Sequence, residues 1–145
     1  MLNSQYQLMY IHLFSKRIIN QQKIIMDKII GLGKYLYAIP FGVFGIMHFM
    51  GADNMAAMAP FGGAIMIYIT GAAMLAACVS IIIGKMDKLA TVLLALLLIL
   101  YIALVHFPAM GGEDYTPTIN AFKDLALCGG ALMYAGMAKD NSVIG

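Results

Sequence analysis

Charged side chains are scarce in this chain: Asp, Glu, Lys and Arg make up 11% of its 145 residues, against 62% hydrophobic residues. A water-soluble domain of that composition would expose more apolar surface than water tolerates, so a soluble globular fold is excluded. Cysteine is almost absent too, with Cys78 and Cys128 alone and no Cys-x-x-Cys motif, which removes the usual signature of a thiol redox centre. Counted from the outer helix ends at about 1.5 Å per residue, the two thiols lie roughly 21 and 15 Å deep. That offset approaches the longest usual Cα separation of a disulfide, about 7 Å, before any lateral distance is added, so both read as small packing residues. Also missing are a Gly-x-Gly-x-x-Gly fingerprint, a phosphate loop, a Gly-x-Ser-x-Gly elbow and a Cys-x-x-Cys-His haem attachment. The net charge is only +2 and no basic patch for nucleic acid is present.

What the chain has instead is apolar runs of bilayer length. Leu32–Phe49, Ala64–Ile83, Leu89–Phe107 and Pro117–Ala138 each come near the roughly 20 residues that cross a hydrocarbon core. Helices satisfy their own backbone polar groups in lipid, so the expected fold is all-α: a polytopic bundle of four transmembrane helices. Lys16, Arg17, Lys23, Lys28 and Lys34 gather before or at the start of the first run, Lys85 and Lys88 between the second and third, and Lys139 after the fourth. By the positive-inside rule all of these are cytoplasmic, which places both termini there and leaves Asp53, Glu113, Asp114 and Lys123 on the opposite side.

Residues 1–25 are polar and basic with scattered isoleucines and contain no signal-peptide run. The favoured reading makes them an extension upstream of a true start at Met26, with residues 26–140 forming the membrane domain. The alternative is a cytoplasmic interfacial helix that sets Leu8, Ile11, Phe14 and Ile18 against Lys16 and Arg17.

Membrane helices associate by close backbone approach, so small residues mark the faces expected to touch. Those are Ala38, Gly42 and Gly45 on the first span, Gly71, Ala73 and Ala77 on the second, and Ala126, Gly129 and Gly130 on the fourth. The Leu-rich third span is expected to present more of itself to lipid, and Pro40 is expected to bend the first. His48-Phe49-Met50-Gly51 and His106-Phe107-Pro108-Ala109-Met110-Gly111 form an internal echo that parallel repeats would produce.

Ionisable groups at membrane depth are costly and point to function. Here they collect at the outer ends of the spans: His48, His106, and the group Asn120, Lys123 and Asp124 on the fourth helix. Asn120 and Asp124 are four apart and share a face, whereas Lys123 is turned about 100° away and is expected to snorkel outward. Two readings compete for this cluster. One is a headgroup site for a quinone or similar amphiphile, with imidazole and ammonium donors on its carbonyl oxygens; the other is a set of interfacial residues in contact with water. No metal site is expected, because His48, His106 and Asp53 lack helical ligand spacing. The first outer loop, Gly51–Gly63, carries Met55 and Met58 and reads either as a lid or as a tight connector. Thr116 and Pro117 read as cap and first residue of the fourth helix.

From Met26 to Ala138 the pattern resembles the DoxX family of small four-span membrane proteins. The resemblance rests on Gly42-x-x-Gly45-Ile46-x-His48-Phe49, Tyr68-Ile69-Thr70-Gly71, Phe107-Pro108-Ala109 and Phe122-Lys123-Asp124-Leu125-Ala126-Leu127-x-Gly129-Gly130-Ala131. It implies a multi-pass protein of a bacterial-type plasma membrane, tied in some members to quinone-linked sulfur oxidation or oxidative-stress complexes. Relatives often carry a Glu shortly after the Thr-Gly pair; this chain has Met74 there, which argues against a proton relay through the second helix.

The expectation is therefore an accessory or quinone-binding subunit of a membrane redox system. His48, His106 and Lys123 would contact the ligand and Asp124 would orient them. Its partners would be the lipid bilayer and a membrane oxidoreductase, with a homo-oligomer left open. The alternative, from a different class, is a non-catalytic scaffold or chaperone that binds another membrane protein.

Overall fold

A computed structural model describes residues 4–140 and 142–144. The described chain is helical, with no strand among those residues: α1 (Ser4–Gly31), α2 (Gly33–Met55), α3 (Gly63–Ile83), α4 (Asp87–Tyr101) and α5 (Thr116–Met137). A 3₁₀ turn, Ala56–Met58, follows α2. A π-helical turn, Ile102–His106, and a 3₁₀ turn, Phe107–Ala109, prolong α4. These elements follow the four apolar runs closely.

Three stretches are long and apolar enough to cross a membrane: one within Tyr6–Met58, Gly63–Ile83 and Asp87–Ala109. At 22 residues α5 is of similar length, but Lys123 and Asp124 lower its mean hydropathy.

The chain divides into two units, Met1–Gly33 and Lys34–Gly145. In the first, α1 runs without interruption through Met26, and its side chains from Tyr6 onward are exposed. Leu8, Ile11, Phe14 and Ile18 recur at helical spacing along it, the pattern of the interfacial reading.

In the second unit the small residues bring α2 and α3 into backbone contact. A Cβ on Gly45 would stand 2.8 Å from the Gly71 carbonyl oxygen, and one on Gly71 would stand 2.7 Å from the His48 Cβ. Nothing larger than hydrogen fits at this crossing, as expected for membrane helices that associate without hydrophobic exclusion. Gly42 leaves room for the Cys78 thiol and Gly130 for the Tyr37 ring, whose hydroxyl donates to the Leu127 carbonyl. Ala73, Ala126 and Gly129 were expected at contacts but are exposed. Cys78 and Cys128 are both buried free thiols in the core, where Phe41, Thr91, Ile81 and Leu98 are the most enclosed side chains. α3 and α4 bury the same share of their residues, seven of 21 and five of 15, and the lower burial of the third apolar run comes from the turns Ile102–His106 and Phe107–Ala109, which hold no buried residue.

Within α2 Pro40 lies inside the helix, and the non-helical backbone falls at Gly51 (φ −115°, ψ 16°), after His48. One expectation about local geometry needs correction. The residue that caps α5 is Tyr115, with Thr116 already helical; the Thr116 N–H is held at 2.8 Å by the Asp114 carboxylate. Hydrogen bonds donated by the Thr116 hydroxyl and, second, by its N–H keep the exposed Asp114 carboxyl below its ordinary range. The echoed His-Phe pairs differ in backbone as well, since His48 lies in regular α-helix and His106 closes the π turn.

At the other end of this unit the α3–α4 turn is tightly determined. Gly84 takes the left-handed conformation (φ 70°) that ends α3, and its N–H bonds the Ser80 carbonyl at 2.9 Å. Met86 is also left-handed (φ 52°), a strained state for a residue with a Cβ, and its N–H donates to Asp140 at 2.7 Å. Asp87 follows as the first-turn acid of α4 and is only 3% exposed. Its carboxylate accepts from the Tyr134 hydroxyl at 3.2 Å, the Lys88 N–H at 3.0 Å and the Asp140 N–H at 3.4 Å. The Lys34 ammonium bonds the last turn of α3 at the Ile82 carbonyl, 3.0 Å away.

Candidate functional site

The four helices of the second unit diverge around a cavity of about 200 Å³ between the C-terminal parts of α2 and α4 and the N-terminal parts of α3 and α5. His48, His106, Asn120, Lys123 and Asp124 all line it, although they come from three separate helical segments. Asp53 is exposed and outside it, and the described residues hold no cluster of three His, Cys, Asp or Glu side chains that could bind a metal.

Asp124 organises one wall. It is 4% exposed, and its two oxygens are shared between His106 Nε2 at 3.0 Å and Lys123 Nζ at 3.6 Å. A carboxylate this enclosed is tolerable only because the His106 hydrogen bond and the Lys123 ion pair replace its water. The π turn supplies one of those donors. By adding a residue to the last turns of the helix it changes the direction in which His106 leaves the backbone, and such bulges occur often at functional sites. Lys123 was expected to point away from Asp124, and its backbone position does. Its flexible stem reverses that, carrying Nζ back to Asp124 and to Asn120 Oδ1 at 3.3 Å, over the Phe44 ring at 5.5 Å. Its side chain remains 47% exposed, so part of the ammonium's donor capacity is free.

The facing wall is built from one imidazole and two hydroxyls. His48 Nδ1 lies 2.7 Å from the Phe44 carbonyl, a contact that only an N–H can make, and Nε2 lies 3.2 Å from the Tyr101 hydroxyl. Thr70 stands beside them with its hydroxyl donating to the Met66 and Ile67 carbonyls at 3.0 and 3.1 Å. Tyr101 and Thr70 were not anticipated as site residues. Each is a single polar group within an apolar helix, and Tyr101 meets a partner 53 positions away.

Between the walls the lining is apolar and rich in methionine. Met66 and the buried Met74 come from α3, and Met55 and Met58 from the segment that leaves α2. The first loop is thus part of the cavity wall. Met74 is buried in the α3 wall, and the buried acid of the cavity is Asp124 on α5. An apolar cavity with a few convergent polar groups is the form of a small-ligand site, and unbranched thioethers suit a ligand of irregular apolar shape. Comparisons with protein-family models, with curated proteins and with solved structures found no match.

Proposed function

We propose that the chain crosses a bacterial-type plasma membrane four times, with α5 as the fourth span and both termini cytoplasmic, and that its outer cavity holds the ring headgroup of a quinone-like amphiphile. It serves as an accessory or ligand-binding subunit of a membrane redox system, as its resemblance to the DoxX family suggests. The length of α5, about 33 Å at 1.5 Å per residue, supports the fourth crossing, and the distribution of lysines supports the orientation.

The observation that carries the functional reading is the convergence of His48, His106, Asn120, Lys123 and Asp124 on one otherwise apolar, Met-lined cavity. An aqueous substrate would gain little from that lining. A ring carrying oxygens, delivered from the bilayer on an apolar tail, matches both the lining and the polar groups. Protein purified in mild detergent is expected to retain quinone in its lipid extract, and the His48→Ala/His106→Ala double variant is expected to lose it. Unchanged quinone content in that variant rejects the site.

One observation favours the second reading, a scaffold for another membrane protein. Ala73, Ala126 and Gly129 expose small side chains on helices of membrane length, the kind of surface on which a partner helix packs. Stoichiometric co-purification of a membrane protein, without quinone, would select it.

A further inference from the structure

The hydrogen-bond directions within the cavity narrow the ligand beyond a quinone-like ring. His48 Nδ1 sits 2.7 Å from the Phe44 carbonyl oxygen, which assigns the ring proton to Nδ1 and, in that tautomer, a lone pair to Nε2. The group 3.2 Å from that lone pair is the Tyr101 hydroxyl, which must therefore be the donor. With its proton committed to His48, Tyr101 offers the cavity lone pairs only. Thr70 is in the same condition, since its one proton goes to the carbonyls of Met66 and Ile67. Every polar side chain on this wall is an acceptor.

The α5 wall has the opposite character. Lys123 carries three N–H donors and no acceptor; one is directed to Asn120 Oδ1 and another lies near Asp124. That leaves the third Lys123 N–H and the Asn120 amide NH₂, both on residues that line the cavity, to meet a ligand oxygen. A molecule that bridges the walls needs an acceptor oxygen at one end and an O–H at the other.

We infer that this cavity selects the reduced, hydroxyl-bearing form of its ring ligand, a quinol over the corresponding quinone, with one ligand oxygen taken by Lys123 and the other ligand hydroxyl donating to Tyr101. This rests on the quinone-type reading of the site. A quinol oxygen can both accept from the ammonium and donate to Tyr101, so one molecule satisfies both walls. A quinone has carbonyl oxygens only, and its second oxygen would face the lone pairs of Tyr101 and Thr70. A site built to receive a hydroxyl discriminates strongly against the analogue that lacks it, because its own buried polar groups are then left unpaired. His48 is a positioning residue here: it touches Tyr101 and fixes which way that hydroxyl points.

The test is a pair of anaerobic titrations of the full chain in detergent, with duroquinol kept reduced by excess dithionite and with duroquinone in its absence. The quinol is expected to bind at least about tenfold more tightly. In Tyr101→Phe, which keeps the ring and removes the acceptor oxygen, the two affinities are expected to converge through loss of quinol affinity alone. A general loss of structure would weaken both ligands together, so the affinity ratio separates the two effects, and the wild-type ratio stands as a test even if the variant does not fold. Equal affinities, or tighter binding of the quinone, overturn this inference and leave the ring-ligand site intact. Binding of neither overturns both.

Discussion

The two ends of the four-helix unit use similar residues to opposite ends. Both hold a nearly inaccessible aspartate, Asp124 at one end and Asp87 at the other, and both pair polar groups that lie far apart in sequence. At the α3–α4 turn the hydrogen-bonding capacity closes on itself. Asp87 is taken up by Tyr134, Lys88 and Asp140, and Asp140 in turn restrains Met86. At the cavity end it does not close: Lys123 retains free donors, and Tyr101 and Thr70 retain lone pairs, on residues that line a space of about 200 Å³. Polar groups that exhaust one another hold a fold together, while groups left incomplete around a cavity await a ligand. Burial alone does not distinguish the two cases.

The largest expected effect is at Asp124, which serves both purposes. Asp124→Ala removes the hydrogen-bond partner of His106 and the counter-ion of Lys123, a loss of about 2–4 kcal/mol. Detergent-based unfolding should report that loss together with the loss of ligand retention. If Asp124→Ala were as stable as the parent, the ion pairs would contribute nothing and the cavity end would need a different account.

Asp87→Ala tests the closed end. It removes the acceptor for the Tyr134 hydroxyl and the Asp140 N–H, and is expected to lower stability by about 1–3 kcal/mol, read by the same unfolding assay. Ligand retention should not change. Lys123→Met is its converse. Because the ammonium is half-exposed, its ion pair contributes only about 0–1 kcal/mol, so stability should scarcely move while ligand affinity falls.

The smallest effect is a pH dependence confined to the closed end. The hydrogen bond from the Met86 N–H, followed by bonds from Ser142, lowers the Asp140 carboxyl from 3.8 to about 2. A carboxyl whose folded-state pKa is depressed adds stability above its unfolded value, and that contribution is lost as pH falls through the folded one. Hydrogen exchange at the Met86 amide is therefore expected to lose protection as pH drops from 3.8 through about 2. Asp140→Asn should flatten that pH profile; an unaltered profile would show that Asp140 does not hold the turn.

Much of this could be read from the chain, and the failures share a cause. The apolar runs fixed the positions of α2 to α5 to within a few residues, because hydrophobic length is a local property. His48, His106, Asn120, Lys123 and Asp124 were legible because polar groups stand out within apolar helices, and they meet at one cavity. Tyr101 and Tyr134 did not stand out, since an amphipathic aromatic in such a run looks like core until its partner is known. Asp87 did not stand out beside Lys88, and its burial depends on the chain returning 53 residues later at Asp140. The π turn that aims His106 left no sequence signal. Lys123 was misdirected because backbone angle predicts where a side chain starts and not where four flexible carbons end.

The contrast between the ends is tested most directly by titrating one short-chain ring ligand, in its quinol and quinone forms, into the parent chain, Asp87→Ala and Lys123→Met side by side, with unfolding recorded for each. The account predicts a double dissociation: Asp87→Ala binds like the parent and unfolds more easily, whereas Lys123→Met unfolds like the parent and binds more weakly. Parent-like binding by Lys123→Met, or lost binding by a folded Asp87→Ala, would contradict it.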